Sequence, residues 1–169
     1  MTRLITTTLL LIFCTFALSF AAEAPQIGKI SGTFTIDGKP IPLQFISVRA
    51  YEGLNYEEKV WKFTLVFLSD KKIPDTVWKA SESDTMSGLQ ELAANENAHV
   101  IVLKVDTDNS IFMETLIYDN SLFQDGFSMP APVMTVNKNI AKGKVASTGK
   151  KAKYQYDIAF EAPIVPKGK

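Results

Sequence analysis

The sequence predicts a mainly β domain: an about eight-stranded sandwich or partly open barrel, with one helix packed on a face or end. Three observations predict it. Apolar residues recur at period two along most of the chain. Turn-forming pairs separate the runs. Only one segment carries helical spacing.

The run from Val60 to Leu68 anchors this reading. Trp61, Phe63, Leu65 and Phe67 share one face, with Lys62 and Thr64 on the other, until Val66 and Leu68 make both faces apolar. A strand half-exposed at one end and covered on both sides at the other suits the middle of a sheet. Before it, Ile30, Gly32, Phe34 and Ile36 alternate with polar residues and meet Asp37-Gly38, which predicts a tight hairpin. In the return strand, Ile41 to Tyr51, the alternation slips near Phe45-Ile46. This predicts a bulge or a crossing between sheets, and Pro40 and Pro42 place the start at an edge.

Residues 70–83 form a longer connection holding Trp78, whose size and setting predict packing between sheet and helix. The helix spans 84–95, with Met86, Leu89, Leu92 and Ala93 on one face, Ser83 or Asp84 at its start and Asn95 to Asn97 at its end. A strand over 98–105 follows, apolar on both faces. Strand, helix, strand with doubly apolar strands points to a right-handed parallel crossover. Further strands are expected over 111–118, 133–136, 140–147 (an edge) and 154–164, where Tyr154, Tyr156, Ile158 and Phe160 alternate cleanly. Residues 119–131 read as irregular.

Residues 1–21 have the plan of a secretory signal peptide: Arg3, an apolar run from Leu9 to Phe20, and small residues at Ser19 and Ala21. The expected organisation is then a signal over 1–21, a loose lead-in over 22–28, one β-rich domain over 29–165 and a frayed tail over 166–169. The expected location is the periplasm or the extracellular space, with no integral membrane segment after cleavage. The single cysteine, Cys14, lies inside the signal, so the processed chain has no disulfide and no thiolate nucleophile or ligand. The chain has 18 basic and 18 acidic residues, and loss of Arg3 leaves a net charge of −1. This balance argues against nucleic acid as a partner. Its one basic run, Lys150 to Lys153, follows Thr148-Gly149 and reads as a solvated hairpin tip.

Three stretches, GTFTIDGKPIPLQFISVRAYEG, TLVFLSDKKIP and KYQYDIAFEAPI, resemble a diffuse group of secreted or periplasmic bacterial β-rich proteins. These share an opening hairpin, a strand ending in Leu-Ser/Thr-Asp, a helix and a closing strand with alternating aromatics. The resemblance implies an envelope-located β-rich domain and carries over no activity.

No catalytic residue, cofactor site or metal site is assigned from the sequence. His99, the only histidine, opens an apolar strand and reads as a hydrogen-bonded strand end. Asp106 to Ser110 begins like a calcium loop, but Ile111 and Ile117 stand where glycine and a bidentate glutamate are required, leaving a plain turn capped by Asp and Asn. The surface singled out for partner contact is the loop holding Phe123, Phe127, Met129 and Pro130; the competing reading folds it over an open end of the sandwich. Functionally, the sequence favours a non-enzymatic envelope protein that binds a protein or small molecule. The alternatives are a carboxylate-dependent hydrolase of envelope polymers and a structural protein without a ligand.

Overall fold

The computed structural model describes residues 28–54, 57–119, 121–125, 133–137, 139–147 and 153–165. It is mainly β, a curled half-barrel sheet with few helices. The expected signal peptide, all of the lead-in but Gly28, the tail and the Lys150-Lys151-Ala152 tip lie outside the described residues.

The chain opens with β1 (Lys29–Ile36) and β2 (Lys39–Pro40). Asp37 and Gly38 both take positive φ, at 50° and 74°, and Ile36 pairs with Lys39. This is the two-residue hairpin the Asp-Gly pair predicts. The slip near Phe45-Ile46 is a crossing between layers. β2 sits at the sheet edge, residues 41–44 leave the ladder, and β3 (Phe45–Leu54) joins the other layer. Ile41 N–H still donates to Phe34 O, whereas Gln44 N–H already donates to Ser69 O, so the switch is complete within four residues.

β4 (Val60–Ser69) pairs with β3 on one side and β5 (Val100–Asp106) on the other. β6 (Ile111–Tyr118) and β7 (Ser121–Asp125) extend that layer. β8 (Val133–Val136), β9 (Ile140–Ala146) and β10 (Tyr154–Val165) build the first layer with β1. β10 joins the two, antiparallel to β1 and β9 along its length and parallel to β3 at Ile164 and Val165. Gly32 makes the β1–β10 contact possible. At φ 120°, its Cβ would stand 2.0 Å from the Asp157 carbonyl oxygen.

The core is double. Phe34, Val48, Val66, Leu68, Ile101, Leu103, Leu116, Tyr156, Ile158 and Phe160 fill the space between the layers. Phe63, Leu65, Phe67, Val100, Val102 and Ile117 point the other way, to be covered by Ile73, Trp78, Leu89, Leu92 and Ala93. Those five lie in or beside α1 (Asp75–Trp78) and α2 (Glu82–Glu96). The Ser81 hydroxyl caps α2 by accepting from Asp84 N–H, and Asn97 ends it in the left-handed conformation at φ 53°.

Several expectations are corrected. β4 and β5 are antiparallel, so no parallel crossover exists between them. α2, at about 1.5 Å per residue, carries the chain back along the sheet to the end it left. There Asp70 and His99 close the neck. Asp70 Oδ1 accepts from His99 N–H at 2.8 Å, Asp70 Oδ2 lies 2.7 Å from His99 Nδ1, and Asp70 N–H donates to His99 O. β9 is no edge, being paired with β8 and β10. Residues 121–125 are a strand, reached through a tight turn with Asp119 at φ 49°. The helix is longer than expected; the about eight strands expected form, and among the described residues two short ones, β2 and β7, add to them.

The neck yields a prediction. Asp70→Ala removes the acceptor of both His99 groups and lowers unfolding free energy by about 2–3 kcal/mol, whereas His99→Ala keeps the backbone contact and costs ~1–2 kcal/mol. Urea unfolding of both variants measures the order; equal losses would assign the neck's strength to the ring contact alone.

Candidate functional site

The inner faces of β3, β4 and β5 form three successive rows at one end of the sandwich. Val48, Val66 and Leu103 pair across the strands and are buried. Two residues further out, about 7 Å along the strand, come Ala50, Thr64 and Val105. Beyond them Glu52 faces Lys62, with the carboxylate 3.4 Å from the ammonium and both side chains exposed. Val136 of β8 closes the space from the other layer, and Thr107 from the β5–β6 turn. The result is a cleft of about 310 Å³ at the mouth of the half-barrel. Ala50, the small residue of its row, leaves space beside Val105 and across from Val136.

The rows grade from apolar to charged. Thr64 brings the one hydroxyl of the middle row, Ala50–Thr64–Val105. The cleft's wall is held from outside by the β5–β6 turn: Asn109 Oδ1 accepts from Val136 N–H at 2.8 Å, tying that turn to β8. In the same turn Asp106 Oδ1 accepts from Thr107 N–H, and Asp108 Oδ1 accepts from Ser110 N–H and Oγ–H. Those contacts from Ser110 hold the Asp108 carboxyl below the usual carboxylate range. The turn is thus closed on itself as the sequence predicts, and no three His, Cys, Asp or Glu side chains gather as a metal site among the described residues.

A second concavity, of about 520 Å³, lies on the first layer and is lined by Lys29, Ser31, Lys142, Lys144, Ala159 and Glu161 among others. Its lysines alternate with Asp157 and Glu161 in exposed cross-strand pairs of 3.2 and 3.5 Å. Exposed pairs of this kind contribute little.

The outer face of the second layer is filled. Arg49, Leu65 and Lys104 stand side by side on β3, β4 and β5. An Arg49 Nη1–H donates to Ala80 O at 2.6 Å, and Lys104 Nζ pairs with Glu82 at the start of α2. Burial lowers the Arg49 pKa, with Tyr51 and Glu82 acting to raise it. These two buried cations fasten the link between the helices and the start of α2 to the sheet. Beside them Tyr51, Trp61, Phe63 and Phe112 form an aromatic cluster with centroid separations of 4.6 to 5.7 Å, its pairs tilted except for the edge-on Phe63–Phe112.

Of the residues singled out for partner contact, Phe123 lies on β7. It is 41% exposed and stacks on Tyr118 at 5.2 Å. Phe127, Met129 and Pro130 lie outside the described residues. His99 is structural, at the neck, and Trp78 is buried beneath the helices. The cleft residues Ala50, Thr64, Val105 and Val136 were not singled out by sequence. Their signal is the polar half of β4: Lys62 and Thr64 mark where the inner face meets solvent.

No family model, curated protein or solved structure matches this chain. Leu68-Ser69-Asp70 forms the end of β4 and the neck, and residues 154–164 lie in the joining strand. Among the described residues no helix is long and apolar enough to cross a membrane.

Glu82→Ala leaves the Lys104 ammonium buried without its carboxylate and costs about 1–3 kcal/mol, less than a fully buried pair because Glu82 keeps some solvent. Lys104→Met in the same background recovers most of that loss. Thermal unfolding of the single and double variants checks it, and an unrecovered double variant would contradict the assignment.

Proposed function

We propose that this chain is an exported β-sandwich protein of the bacterial envelope that binds a small molecule in the mouth between its layers. The observation that carries the reading is the cleft of about 310 Å³ walled by Ala50, Thr64, Val105 and Val136. Ligand sites are concave, mainly apolar and furnished with few polar groups, and barrel mouths are a preferred place for them. The cleft has this composition. Its two lining carboxylates are engaged, Glu52 with Lys62 and Asp106 with Thr107, which favours binding over carboxylate chemistry. Export is supported by the layout of residues 1–21 and by a processed chain without thiols.

Two outcomes are expected. The neutral fluorophore N-phenyl-1-naphthylamine gives a saturable rise in emission with the processed protein, and Ala50→Trp abolishes it while the circular dichroism spectrum is unchanged. A rise indifferent to Ala50→Trp would place the probe elsewhere and contradict the reading. In cells expressing the full chain, mass spectrometry of the envelope fraction finds an N-terminus at Ala22. Recovery of the unprocessed chain from the cytosol would refute export.

A further inference from the structure

We infer that the trough on the outer face of the first layer binds a water-soluble phosphate monoester of the sugar phosphate class. The site is separate from the mouth cleft and does not depend on it. Two rows cross the sheet in the phase that faces away from the core. In one, Lys29 of β1, Glu161 of β10, Lys142 of β9 and Thr135 of β8 stand side by side. In the next, about 7 Å along the strands, come Ser31, Ala159 and Lys144. These seven residues line the concavity of about 520 Å³.

Ser31 and Ala159 are short side chains and make its floor. Lys29 flanks the floor from β1, and Lys142 and Lys144 flank it from β9, each one strand, or about 5 Å, from β10. A lysine's flexible four-carbon stem spans that distance. Three ammonium groups can therefore meet over Ala159, where the Ser31 hydroxyl adds a donor. The lining sets these three against the single carboxylate of Glu161, a net charge of +2. A phosphate monoester carries about −1.5 to −2 at neutral pH and so matches it, where a sulfate ester or a carboxylate brings only one charge. Glu161 stands in the row of Lys29 and Lys142, 3.2 Å from the Lys142 ammonium. Asp157, one row beyond Ala159, lies 3.5 Å from that of Lys144. Both pairs are exposed, so an ammonium group exchanges its carboxylate for a doubly charged phosphate at little cost.

The trough holds more than a phosphate group and has the size of sites for small organic molecules. The body of the ligand lies along it, within reach of the Thr135 hydroxyl. That body is polar and free in water rather than held in a bilayer. Phe45, Val60 and Phe123, the exposed large apolar residues among those described, all belong to the second layer, so this face has nothing to insert.

The other places searched carry less. The mouth cleft belongs to the reading above, the Asp70–His99 contact closes a connection, and Arg49 and Lys104 hold the helix link and the start of α2.

The test is isothermal titration calorimetry of the processed protein with glucose 6-phosphate, glucose 6-sulfate, glucose and inorganic phosphate. Glucose 6-phosphate is expected to bind at one site per chain, about tenfold more tightly than the sulfate or inorganic phosphate, and glucose to give no heat. Between about pH 7.5 and 5.5 the phosphate ester loses its second charge and about fourfold in affinity, while the sulfate ester is unchanged. Lys29→Ala and Lys144→Ala each weaken binding about 3- to 10-fold. Ala159→Glu, which sets a carboxylate on the floor, removes it; Lys29→Glu, on the rim, does the same should Ala159→Glu fail to fold. Equal affinity for the phosphate and sulfate esters, or for inorganic phosphate and the sugar phosphate, would overturn the inference. So would binding indifferent to both glutamate variants. Absence of heat from glucose 6-phosphate, with the protein sedimenting instead with vesicles of equimolar phosphatidylcholine and phosphatidic acid, would assign the face to a lipid surface and overturn it as well.

Discussion

β4 and β5 must be covered on both faces, and the rest of the architecture follows from that. Leu65 to Ser69 and Val100 to Val105 are buried without a break, so side chains of both phases are withdrawn from water. Exposing either face would forfeit roughly 1.5–3 kcal/mol for each large apolar side chain. The first layer supplies one cover and the 70–99 excursion supplies the other. β10 joins the layers by leaving β1 and taking up β3 over its last residues, and Asp70 with His99 closes the excursion at its base. The cleft lies where the inner cover stops short, between Ala50 and Val136.

Much of this architecture was legible in local chemistry. Asp37-Gly38 admits few conformations besides the tight hairpin it forms, and the phase slip near Phe45-Ile46 narrowed that point to a bulge or a crossing between sheets, of which the fold takes the crossing. The gradient along β4, polar at Lys62 and Thr64 and wholly apolar from Leu65, placed it at the centre of the sheet. The direction of β5 was not legible. Doubly apolar strands joined through a helix fit a parallel crossover, yet the same pattern arises when an antiparallel pair is sandwiched between a curled sheet and helices. The distinction lies in Asp70 and His99, which are 29 residues apart in sequence and adjacent in space. β7 was missed because Ser121 to Asp125 is short and its Phe123 remains partly exposed, and β9 was misplaced because Gly143 and its lysines conceal a strand paired on both sides.

The site was less legible than the fold. A cleft is made by what is small or absent, and Ala50 gives no chemical signal until Val105 and Val136 stand around it. Aromatic and apolar loop residues draw notice in a sequence, which is why Phe123 and its neighbours were favoured over an alanine. The polar phase of β4 did hold the relevant fact, since Lys62 and Thr64 lie at the opening.

Residue-resolved amide hydrogen exchange tests the central claim most directly, because it reads cover along β4 in a single experiment. The account requires Leu65 to Leu68 and Ile101 to Leu103 to exchange only through global unfolding, with Lys62 and Glu52 exchanging far faster through local opening at the mouth. Uniform protection along β4, or fastest exchange at its Leu68 end, would contradict it.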